Sequence, residues 1–185
     1  MALVIKDSKR PSAGAGRVAT IDQWIQVTQA NPATGAGLAL PATTTGQLFR
    51  VRGGRVLVRG LLGEVTTIIQ TQACNTKVSS KKLNAASSAV GTAVDVASNL
   101  DITAIEVGGL LWVEGDGTAL VKATAGASLI GANSGMWIAP QGEIYITTAA
   151  TNTGAIKWDL WYQPLDAGAF VEPAVLTAGA LTAAI

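Results

Sequence analysis

The chain has 185 residues and a mass of 18.8 kDa, which suits one domain with or without an appended arm. Charged residues make up 14% of it, against a usual level of about 25%, and 13 Lys and Arg nearly balance 12 Asp and Glu. There is no histidine and one cysteine, Cys74, which removes the commonest general base, the usual orienter of a Ser or Cys nucleophile, disulfide frameworks and thiolate zinc sites.

The near-neutral balance, with a pI of about 7.8, argues against nucleic acid, whose phosphates call for a surplus of Lys and Arg. No apolar run approaches the roughly 20 residues of a membrane span. The opening MALVIKDSKR sets its apolar residues ahead of its charges, the reverse of a secretory signal. The expectation is a soluble protein made in a cytoplasm, with neither nucleic acid nor membrane among its partners and with Cys74 as a small buried hydrophobe.

In chain order, residues 1–42 read as an extended N-terminal arm. Gly- and Ala-rich stretches at 12–16 and 31–46 bracket residues 18–27, where Trp24 and Ile25 form an apolar anchor suited to ordering on a neighbouring subunit. From Gln47 the pattern becomes short β-rich runs. Residues 48–52 alternate, Gly53 and Gly54 supply a tight turn and residues 55–59 return, which predicts a hairpin presenting Arg50, Arg52, Arg55 and Arg59 close together. That cluster is either a solvated outer face or a cationic footprint for an acidic partner surface. Residues 60–63 read as a break, and 64–72 as a strand buried on both faces. Residues 74–90, with Lys77, Lys81, Lys82 and several serines, predict an exposed strand and then a loop.

Further strands are expected at 91–97, 102–107 and 110–114, the last two joined across Gly108 and Gly109. Glu114-Gly-Asp-Gly117 reads as a hairpin turn into 118–122, and Pro140-Gln-Gly142 opens a strand over 143–147. Residues 155–163 carry the clearest period of two. Ile156, Trp158, Leu160 and Tyr162 fall on a core face, while Lys157, Asp159, Trp161 and Gln163 fall on the other, leaving Trp161 available for an interface. About eight to ten short strands with no long helix predict an all-β sandwich or barrel, jelly-roll-like, with a body over 43–171 and a small-residue tail over 172–185. The open edges of such a fold favour oligomerisation.

Motifs that carry chemistry fail on context. Gly14-Ala-Gly-Arg-Val-Ala19 has dinucleotide-loop spacing but follows no strand. Ser79-Ser-Lys-Lys82 matches S-x-x-K but lies in a polar stretch without a helix start, and Glu114 with Asp116 offers too few oxygens for calcium. No two carboxylates are spaced as an acid and base pair. The expectation is no enzyme: no catalytic residue, no cofactor and no metal.

The phrases Leu48-Phe-Arg-Val-Arg-Gly-Gly-Arg-Val-Leu-Val-Arg-Gly-Leu-Leu-Gly-Glu-Val-Thr-Thr67, Pro140-Gln-Gly-Glu-Ile-Tyr-Ile-Thr-Thr148, Thr153-Gly-Ala-Ile-Lys-Trp158 and Trp161-Tyr-Gln-Pro-Leu-Asp-Ala-Gly-Ala169, taken together over about residues 47–171, carry a resemblance to small β-rich virion proteins of tailed bacteriophages. It implies a capsid decoration or cement protein on the virion surface, forming a homotrimer and clamping neighbouring major capsid protein subunits. A tail-tip or fibre component recognising a host surface is the first rival reading. A carbohydrate-binding module, suggested by the tryptophans, is the second.

Overall fold

The computed structural model describes residues 24–41, 45–70, 72–84, 92–124, 126–129, 135–174, 176–177 and 180–181. The strands are β1 (Ile25–Gln29), β2 (Leu38–Ala39), β3 (Thr45–Arg52), β4 (Val56–Thr67), β5 (Asn75–Lys82), β6 (Val94–Asp101), β7 (Leu110–Val113), β8 (Val121–Ala123), β9 (Trp137–Ala139), β10 (Gly142–Thr148), β11 (Ala155–Pro164), β12 (Phe170–Pro173), β13 (Leu176–Thr177) and β14 (Ala180–Leu181). Among the described residues there is no helix, so the chain is all-β.

Alternation decides how these strands pack. In β11 the side chains of Ile156, Trp158, Leu160 and Tyr162 are buried and the intervening residues are half-buried, so one face of the strand is committed to a core. One sheet runs β1-β11-β4-β7-β8, with β2 added on β11 and β9 on β4, and a second runs β12-β3-β10-β5-β6. The two antiparallel sheets face each other as a sandwich, and Phe49, Val51, Ile144 and Ile146 of one meet Val58, Leu61, Trp158 and Leu160 of the other in a single core. The pairings nest: β1 lies on β11, β3 on β10, β4 on β7 and β5 on β6. The body is thus one long antiparallel ribbon, with β5 and β6 at its tip, whose successive segments alternate between the two sheets.

This wrapping overturns the expected hairpin over residues 48–59. β3 and β4 lie in different sheets, because each gains two neighbours that way, β10 and β12 for β3 and β11 and β7 for β4. Gly53 and Gly54, at φ of 72° and 146°, turn the corner between the sheets instead of closing a ladder. Arg50 and Arg52 therefore belong to one sheet and Arg59 to the other, with Arg55 at the corner.

The break expected at residues 60–63 is also absent, since β4 runs through it. A Cβ at Gly60 would overlap the ring of Trp112, and one at Gly63 would sit 2.9 Å from that of Trp158. These glycines admit aromatic rings against a continuous strand. Residues 102–107 form turns and no strand, because Ile102 and Ile105 plug the core while Ile102 N–H and Ile69 N–H bond the carbonyls of Cys74 and Ile105. β5, expected to be exposed, is interior to its sheet, with Thr76, Val78, Ser79 and Ser80 buried.

Within the stretch read as an arm, β1 and β2 are strands of the seven-stranded sheet, and residues 1–23 lie outside the described residues. Residues 172 and 173, read as tail, complete β12 on β3. β9, which pairs with Val56–Val58 of β4, escaped the sequence reading.

Candidate protein interface

The outward face of the seven-stranded sheet concentrates apolar side chains that the core does not use. Leu111 and Val113 of β7 point inward and are buried, which turns Leu110 and Trp112 outward. Trp112 is half-buried and its ring lies across the backbone of β4 at Gly60. On the other side of β4, Trp161 of β11 pairs directly with Gly60 and is also half-buried. Two indoles thus flank one glycine. Leu62 stands opposite Trp112, and Val121 of β8 lies beyond it. Leu57 pairs with Ile138 of β9, whose side chain is 57% exposed.

Polar groups on this face sit toward β1 and β11 and satisfy one another. Lys157 Nζ lies 2.6 Å from Glu64, whose hydrogen bond raises the lysine above its ordinary range. Asp159 accepts from Gln26 Nε2 at 3.0 Å and from the Thr28 hydroxyl. A groove of about 400 Å³ opens beside Ile138 between β9 and the β5–β6 edge of the other sheet, lined by Val94, Trp137 and Pro140 together with Lys82, Asp95 and Asp116. Val94 at 65% and Met136 at 56% exposure extend the apolar surface around it.

The opposite outward face is built mainly from charged and polar side chains, with Tyr145 among them and Phe170 exposed at its β12 edge. In register across β12, β3, β10 and β5 stand Glu172, Arg50, Glu143 and Lys81, a row of alternating sign. Glu143, buried to 1%, accepts a hydrogen bond from Gln47 Nε2 at 2.9 Å. Asp95 accepts from the Ser79 hydroxyl at 2.6 Å and pairs with Lys77 at 3.0 Å, and the serine above all holds its carboxyl below the ordinary range.

Of the interface residues expected from sequence, Trp24, Arg59 and Trp161 come together at the β1 end of the seven-stranded sheet, whereas Ile25, in register with the core-facing Tyr162, lies on the sheet's inner side. The Arg59 guanidinium stacks 5.1 Å above the Trp24 ring, and Ile25, on the inner side of the edge strand, is 43% exposed. Arg50, Arg52 and Arg55 do not join them. Arg52 pairs with Glu172 at 2.5 Å. Arg55 forks onto Asp166 at 2.8 and 3.0 Å while its backbone N–H donates at 2.7 Å, and these bonds hold the Asp166 carboxyl at about 2. The single cationic footprint is replaced by separate, mostly neutralised pairs.

Trp112, Leu62, Leu57 and Ile138 were missed. Leu110-Leu-Trp-Val113 is apolar throughout, so alternation is silent there, and Gly60 opposite a tryptophan is visible only once the register is known. Ser79 lies mid-strand and bonds Asp95, and the Asp116 carboxylate accepts from Thr118. Among the described residues no three His, Cys, Asp or Glu side chains gather as a metal site. Gly14–Ala19 lies outside the described residues. Comparison of the chain with protein-family models, curated proteins and solved structures finds no match in any of the three.

Proposed function

We propose that this protein is a structural component of a tailed-bacteriophage virion, a decoration or cement protein that lies on the capsid surface as a homotrimer and bridges major capsid protein subunits. The observation that carries the reading is the outward face of the seven-stranded sheet, where Trp161, Trp112, Leu57, Leu62 and Ile138 form an apolar surface on a sandwich that already has its core. Contiguous apolar surface of that kind, centred on tryptophans and rimmed by paired charges, is what protein interfaces bury. The nested ribbon supports a jelly-roll wrap, an architecture used by viral capsid domains. The role is mechanical: contacts repeated around a symmetry axis turn weak docking into avidity.

Light scattering and co-sedimentation with empty phage heads test it. The expected result is a trimer in solution or on heads, with head binding abolished by Leu62→Lys. A protein that stays monomeric and does not sediment with heads removes the proposal.

A further inference from the structure

The sandwich closes along one long side, where β1 meets β12, and opens along the other. There, among the described residues, β9 has a strand neighbour only in β4 and β6 only in β5, and between them lies the groove of about 400 Å³ walled by Val94, Trp137, Ile138 and Pro140. Val94 and Ile138 are more than half exposed. Two open strand edges with apolar side chains around them suit the addition of an extended segment. The groove also carries opposite charges at its two ends. Val94 pairs with Ser80, so Lys82 stands beyond one end of the β6 edge, and Asp116 stands at the other, next to Gly117, whose N–H bonds the Val96 carbonyl. Among the described residues neither Lys82 nor Asp116 has an ion-pair partner. From the level of Lys82 to that of Val96 is about four residues of strand, or roughly 13 Å.

One segment of this chain has the matching order of charges. Arg17-Val-Ala-Thr-Ile-Asp22, outside the described residues, sets a cation and an anion about 16 Å apart when extended, with Val18, Thr20 and Ile21 supplying β-branched side chains between them. We propose that residues 17–22 of a second copy of this chain occupy the groove as an added strand, antiparallel to β6, with Asp22 at Lys82 and Arg17 at Asp116. The same chain cannot supply them. Ile25, Tyr162, Val58 and Trp137 stand in one row across β1, β11, β4 and β9, so three strand spacings, about 14 Å, separate the start of β1 from the near wall of the groove. Asp22, three residues ahead of Ile25, reaches at most about 11 Å. A segment given by each copy to the next is a head-to-tail contact, which can close into a ring. The inference rests on the homotrimer of the proposed function and names the contact that closes it.

Thr20→Cys/Val94→Cys in the full-length protein, oxidised and run on a non-reducing gel, provides the first test, with the native Cys74 buried. Covalent dimer and trimer are expected from the double variant and from neither single one. Lys82→Glu is expected to weaken association by at least about tenfold in sedimentation velocity, and Lys82→Glu/Asp22→Lys to restore it, which separates a lost contact from a lost fold. Crosslinks confined to single chains, no crosslink, a Lys82→Glu protein that associates like the parent, or a loss that Asp22→Lys does not restore would each overturn the assignment. Absent crosslinks beside a trimer still seen by light scattering would overturn it and leave the decoration reading in place.

Discussion

The two outward faces of the sandwich differ although their inward faces are alike. The five-stranded sheet covers most of its outside with side chains that satisfy one another, Gln47 on Glu143, and Ser79 and Lys77 on Asp95, and exposes Phe170 at its β12 edge. The seven-stranded sheet turns Trp112, Trp161, Leu62 and Ile138 outward around a glycine and leaves them with partial cover. Folding does not require the second arrangement, because Trp158 and Leu160, neighbours of Trp161 in the same strand, already fill the core. Apolar surface beyond the needs of the core is what the proposed docking on a partner would bury.

The sharpest way to break this contrast is to exchange tryptophan for alanine on each side of β11. Trp158→Ala should lower unfolding free energy by about 3–5 kcal/mol through the cavity it leaves, and Trp161→Ala by about 1 kcal/mol or less, both read by urea denaturation. Equal losses would mean that both faces serve the fold. On the polar face, Glu143→Ala strands the buried Gln47 amide and should cost about 1–3 kcal/mol in the same assay. A neutral result there would show that the charge row is not self-supporting.

Leu62→Lys should change monomer stability by no more than about 1 kcal/mol while reducing the mass seen by light scattering. The smallest effect is expected at the corner. Asp166, held at about 2 by Arg55, binds fewer protons folded than unfolded, so its contribution is present above the ordinary carboxylate range and is lost as pH falls from about 4 to about 2. Asp166→Asn should flatten the stability curve over that window and leave it unchanged in shape near neutrality.

What the sequence disclosed followed from the physics of each signal. The class and the core face of β11 were legible, because nine residues of alternation leave one reading for a strand with one face buried. Gly53 and Gly54 specified a reversal but not its destination: the same positive φ serves a hairpin or a corner between sheets, and only the competition for neighbours decides. The arginine cluster failed with that hairpin. The outward placement of Trp161 was legible from the period of two. Trp112 was not, since its exposure depends on Leu111 and Val113 taking the inside.

Oxidative footprinting of the five tryptophans in dissociated and assembled protein tests the proposed docking face most directly. The account predicts that Trp112 and Trp161 are oxidised in the dissociated chain and protected on assembly, while Trp158 is protected in both. Oxidation of Trp112 and Trp161 that is unchanged by assembly would contradict it.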